Sequence, residues 1–167
     1  MGIHMTYYIL SAEDMTSLRN LQTDYRMDND LRPQSEILNN IPDEDSVWLE
    51  KAWQGLHFLL TGTTRHTREG LGAVVLGGFP SLNNINRGML RVFISPERVQ
   101  EITKVIKKIS MEELASRHTP DELLSAKIYC ACGNETDSIY FIQSWNSLVN
   151  LFQKAANQGR GILKLLA

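Results

Sequence analysis

Apolar runs suited to strands are short and widely spaced in this 167-residue chain, and helix-start signals crowd the stretches between them. Tyr7 to Leu10 is rich in residues that fit a pleated surface, Met89 to Ile94 and Ile128 to Cys132 read the same way, and Ile162 to Leu166 follows near the end. In between, Ser11 with Asp14, Ser95 with Pro96, Ser110 with Glu113, and Thr119 and Pro120 with Glu122 each set a side-chain oxygen where first-turn N–H groups need an acceptor. Strands this few, separated by this many helices, predict an α+β domain with several helices packed on one small mixed β-sheet.

Helical spacing fills in the rest. Met15, Leu18 and Leu21 follow Ser11 as one amphipathic stripe. The strongest stripe starts at Asp45 or Ser46 and carries Trp48, Leu49, Ala52, Trp53, Leu56, Leu59 and Leu60 up to a stop at Gly62. Val99, Ile102, Val105, Ile106 and Ile109 form the buried stripe predicted after Ser95, and Ser138 to Asn157 reads as a long helix ended by Gly159. From Thr23 to Pro42 the periodicity fades, although Ile37 and Leu38 remain apolar, and a long connection is expected. Leu71 to Leu76, bounded by glycines, fits strand or helix equally. No internal repeat or low-complexity tract divides the chain, so residues 1–167 are read as a single domain.

Composition narrows the function classes. Seventeen basic and 19 acidic residues give a net charge of -2, without the field a nucleic-acid binder uses to gather phosphates. Nucleic acid is therefore not expected as a partner. No apolar run approaches the roughly 18 residues of a membrane span. The first basic residue is Arg19, so no basic leader region is seen, and a cytoplasmic protein is expected. Cys130 and Cys132 are one residue apart, too close for an ordinary disulfide and too few for a structural zinc site, and read as small apolar residues.

Motif chemistry is sparse. Gly70 and Gly72 begin a dinucleotide-like pattern, but Val75 stands where its third glycine belongs, and no P-loop sequence occurs. His4, His57, His66 and His118 include no pair four residues apart, so neither a metal nor a cofactor is expected. No Gly-x-Ser-x-Gly elbow appears. Asp43, Glu44 and Asp45 suit the start of a helix, and Lys104, Lys107 and Lys108 suit a solvated helix face. One constellation has a chemical reading: Trp53, His57 and Thr61 fall at four-residue intervals with Thr63 just beyond. A histidine set beside hydroxyls there suits general acid–base work on a small molecule. It equally suits a core histidine bonded to backbone.

The run from Lys51 to Gly62, Lys-Ala-Trp-Gln-Gly-Leu-His-Phe-Leu-Leu-Thr-Gly, resembles the hallmark segment of the YfbM-like family of small bacterial proteins, a domain of unknown function. Met1 and Gly2 with Tyr8, Val74 to Gly78, Ser95 to Val99, Ile128 and Tyr129, and Ala155 and Ala156 before Gly159 fall in the same family order. Departures occur at Asn86 to Arg91 and at Cys130 to Thr136. The resemblance implies a compact bacterial α+β domain and brings no catalytic residue with it. It also suggests, through the family's toxin neighbourhoods, a non-enzymatic protein-binding module of immunity type that neutralises a co-encoded bacterial toxin. Such a module would carry recognition on loops, with Arg65, His66, Arg68, Asn84 and Arg87 as candidate partner-binding residues. The alternative is a small-molecule enzyme or sensor with its pocket at Trp53, His57, Thr61 and Thr63.

Overall fold

The computed structural model describes residues 3–23, 32–65, 70–78, 90–129, 131 and 135–167. Strand β1 (Met5–Leu10) pairs with β2 (Ser46–Glu50) on one side and β4 (Gly161–Leu166) on the other. Strand β3 (Leu90–Ile94) pairs with β4, giving the order β2-β1-β4-β3. The fold class is α+β as expected, but among the described residues every pairing is antiparallel, where a mixed sheet was expected. Among the described strands, the connections return the chain beside neighbours of opposite direction.

The alternation of side chains along β1 and β4 divides the interior. Met5, Tyr7, Ile9, Ile162 and Leu166 enter the main core, which they share with α3 (Ala52–Thr61), α5 (Pro96–Ile106) and α8 (Glu135–Asn157). Leu10 and Leu163 enter a smaller cluster with Met15 and Leu18 of α1 (Ala12–Thr23). Ile37 and Leu38 of α2 (Arg32–Asn39) pack against that cluster. The connection expected from Thr23 to Pro42 thus contains a helix, which forms because those two apolar residues and Ile41 have this cluster to cover; residues 24–31 lie outside the described ones.

The strongest predicted helix splits in two. Ser46 to Glu50 is strand β2, Glu50 takes a left-handed backbone with φ of 47°, and α3 starts only at Ala52. Pairing with β1 overrides the helical spacing, leaving Leu49 buried and Trp48 60% exposed. Gly62 ends α3 at φ 70° as expected, its N–H donating to the Phe58 carbonyl. Ser95, Ser110 and Thr119 each accept from the N–H three residues on, and the Thr119 and Glu122 pair closes in both directions. In α5 the buried stripe is narrower than predicted, since Val105 is exposed. Helices α6 (Met111–Ser116) and α7 (Pro120–Ser125) follow. No strand forms at residues 128, 129 and 131: Lys127 is left-handed, the Ile128 N–H bonds back to Leu123, and the Tyr129 N–H donates to Gln54 Oε1 at 2.7 Å. Cys130 and Cys132 lie outside the described residues.

Two tight points lock α8 in place. Its Lys154 and the nearby Arg160 both meet the buried Asp45 carboxylate at 2.8 Å. Burial opposes ionisation of Asp45, but the hydrogen bonds and charges of those two cations outweigh it and hold the carboxyl below its usual range. At the other point Gly55 faces Phe141, and a Cβ there would overlap the ring. An exposed helical glycine gains stability on replacement by alanine. Gly55→Ala is expected instead to lose about 1–3 kcal/mol through overpacking, read as a fall in the urea midpoint.

Candidate functional site

The most unusual side chain is a lysine inside the main core. Lys164 of β4 stands opposite Tyr7 of β1 and Val92 of β3, and its relative exposure is 0%. Its ammonium donates to the carbonyls of Ala73 at 3.0 Å, Val75 at 3.1 Å and Gly77 at 2.6 Å. Beside it the Tyr7 hydroxyl donates to the Val74 carbonyl at 2.9 Å. These acceptors belong to α4 (Gly72–Val75) and the turn after it, which is the one-turn helix that the ambiguous Leu71 to Leu76 run adopts. One turn cannot satisfy its own last carbonyls. A cation placed against that C-terminus meets both their hydrogen-bonding need and their partial negative charge. Three acceptors match the three protons of an ammonium. Burial acts the other way and pulls the Lys164 pKa from 10.5 to about 7. Burial likewise pushes the Tyr7 phenol up, so it keeps its proton.

Above this floor lies a cleft of about 360 Å³ lined by Arg19, Gly78, Phe93, Ser95 and Arg98 as well as Lys164. Gly78, at φ 86°, turns the chain close against Val92, where a Cβ would come within 2.8 Å of the valine side chain. Arg19 lies over the Phe93 ring at 5.3 Å, and Ser95 caps α5. Arg98 pairs with Glu101 at 2.6 Å, an exposed contact. None of the described residues lining the cleft is acidic.

The residues predicted as a pocket lie along α3 and just past its end. His57 is fully buried, with Nε2 2.8 Å from the Arg65 carbonyl. Trp53 turns toward the first strand and donates Nε1–H to the Ile3 carbonyl at 3.0 Å. Thr61 donates back to the His57 carbonyl at 2.7 Å and reaches Thr63, which together close the end of α3. The four-residue spacing sets these residues on one face of α3, with Trp53 and His57 turned into the core and Thr61 half-buried. Of the predicted partner-binding residues, Arg65 is exposed, while His66, Arg68, Asn84 and Arg87 lie outside the described residues. Lys104, Lys107 and Lys108 are exposed on α5 and the turn after it. Among the described residues no three His, Cys, Asp or Glu side chains come together as metal ligands, and no helix is long and apolar enough to cross a membrane.

A second surface feature lies across the sheet. A groove of about 350 Å³ runs between β2 and α8, lined by Ser46 to Leu49, Tyr140, Gln143, Ser144 and Ser147. Trp48 rises beside it, stacked on His4 with ring centres 5.7 Å apart, and the Tyr140 hydroxyl meets Glu50 at 3.3 Å.

Residues 1–164 match the family described as a domain of unknown function, DUF1877. The chain belongs to this DUF1877 family. Among solved structures it is similar to the crystal structure of YfbM from Escherichia coli, described as a protein of unknown function. The match has a TM-score of 0.73 at 16% identity and covers 98% of this chain and 99% of that one. That likeness establishes that the two chains share a fold. No curated protein matches the chain.

Lys164 makes a pH signature that can be measured. From about pH 7 up to 10.5 the unfolded chain holds a proton that the folded chain has released. Stability therefore rises with pH through that window. Relative to Lys164→Met, the native chain is expected to gain about 2 kcal/mol between pH 7 and pH 9, measured by urea unfolding. Tyr7→Phe leaves the Val74 carbonyl without this donor and should cost about 1–3 kcal/mol at neutral pH.

Proposed function

We propose that the chain is a protein-binding module whose recognition face is the β2 edge, and that its partner is a bacterial toxin encoded beside it, neutralised by being occupied. The observation that carries the binding reading is Trp48, which stands 60% exposed on an edge strand. Exposed large aromatics at the centre of a surface are the anchors that dominate protein interfaces. An edge strand also offers unpaired N–H and C=O groups to an extended segment of a partner. Here the groove between β2 and α8 gives such a segment side-chain contacts on Tyr140, Gln143 and Ser144, and Ile139 of α8 is exposed close by in sequence. The toxin identity rests on the family resemblance read from the sequence, and a bacterial cytoplasmic setting belongs to the same proposal.

The test is co-expression of each neighbouring open reading frame that arrests growth, with and without this chain. Growth is expected to be restored by the native chain and lost with Trp48→Asp, a melting temperature of the variant well above the growth temperature showing that its fold persists. Binding of the purified partner should weaken by at least about 30-fold in Trp48→Ala. Protection that survives Trp48→Asp would remove the β2 edge from the account, and the absence of protection from every neighbour would remove the toxin.

A further inference from the structure

At the sheet edge opposite β2, the Lys164 cleft continues into a second hollow. This hollow, about 300 Å³, is lined by Leu71, Val74, Ile102, Val105 and Ile106 with Gly70, Arg98 and Glu101. Arg98 and Ile102 line both spaces, so the two meet along one face of α5. One end of this groove is apolar and includes Val105, an exposed valine at a position that helical spacing assigns to the interior. The other end carries the guanidinium groups of Arg19 and Arg98 above the buried Lys164 amine. Each hollow has a volume at the lower end of the roughly 300–1,000 Å³ range of small-molecule sites.

We propose that the α5 groove binds a fatty carboxylate, its chain lying along Leu71, Val74, Val105 and Ile106 and its carboxylate held by Arg19 and Arg98. The charge arrangement selects this occupant. Arginine forks match a carboxylate with two parallel N–H···O bonds. None of the described residues lining the cleft at the polar end is acidic, and Glu101, which lines the adjoining hollow, meets Arg98 through one guanidinium nitrogen at 2.6 Å in an exposed contact. The Arg19 guanidinium is held over Phe93, so less of its freedom is lost on binding. The floor is rigid as well, because the Ala73 and Gly77 carbonyls that line the cleft are tied to Lys164. An uncharged amphiphile would cover the apolar end and bring no charge to the guanidinium groups at the other. A short carboxylate would reach the cations and leave the apolar end in water. This site is separate from the β2 groove, and its occupancy does not depend on the protein partner.

The experiment is calorimetric titration of the full chain with decanoate, decanol and acetate in parallel. Decanoate is expected to bind saturably with one ligand per chain, and decanol and acetate each at least about tenfold more weakly, the difference a charged hydrogen bond or a buried alkyl chain supplies. The double variant Arg19→Gln, Arg98→Gln should bring decanoate down to the level of decanol. Val105→Glu should weaken decanoate and leave acetate unchanged. Both sets of substitutions fall on exposed or cleft-lining side chains, and their melting temperatures check that the fold persists. Equal binding of decanoate and decanol, decanoate affinity untouched by the double variant, or no saturable decanoate binding in the native chain would each overturn the proposal.

Discussion

One buried ammonium holding the carbonyls of Ala73, Val75 and Gly77 joins the sheet to the segment that walls the cleft. A four-residue helix has too little internal hydrogen bonding to persist alone. Here Lys164 and Tyr7, neighbours across β1 and β4, reach it from the same row of the sheet and satisfy four consecutive or near-consecutive acceptors. The desolvation of the lysine opposes this arrangement, as its lowered pKa records. What offsets that cost is the absence of any cheaper way to bury the end of α4: an apolar residue at position 164 would leave several carbonyls facing a dry interior.

From that contact the geometry extends outward. With residues 70–78 fixed, α5 is held across from them, and the space between becomes a groove with an apolar end and a cationic end. On the far side of the sheet, Asp45 with Lys154 and Arg160 ties the start of β2 to the end of α8 and to the approach to β4. The two surface features therefore lie at opposite edges of a sheet whose two inner strands, β1 and β4, are the first and last elements described. Contacts of such sequence separation carry a large loop-closure cost, and the sheet cannot close before β4 is available.

The sequence made several of these features readable and hid others for identifiable reasons. Caps at Ser95, Ser110 and Thr119 and the stop at Gly62 are local hydrogen-bond devices, and each appears where its residues indicate. Strand β2 was masked because Trp48 and Leu49 continue the spacing of α3, and only pairing with β1, a long-range contact, separates them. His57 carried a chemical reading from spacing alone, whereas its partner is a backbone carbonyl that no side-chain pattern encodes. Lys164 had a signal, a lone charge inside the run Ile162 to Leu166, which in a strand buried on both faces has to find acceptors. Its acceptors lie 87 to 91 positions away in a glycine-bounded run, so the cleft itself was not legible.

The most direct test of this account is hydrogen exchange on the native chain and on Lys164→Met, followed amide by amide. If Lys164 pins the α4 segment, the amides of residues 72–78 should exchange at least about tenfold faster in the variant, while β1 and β4 keep their protection. Unchanged protection at residues 72–78, or a uniform loss across the chain, would contradict it.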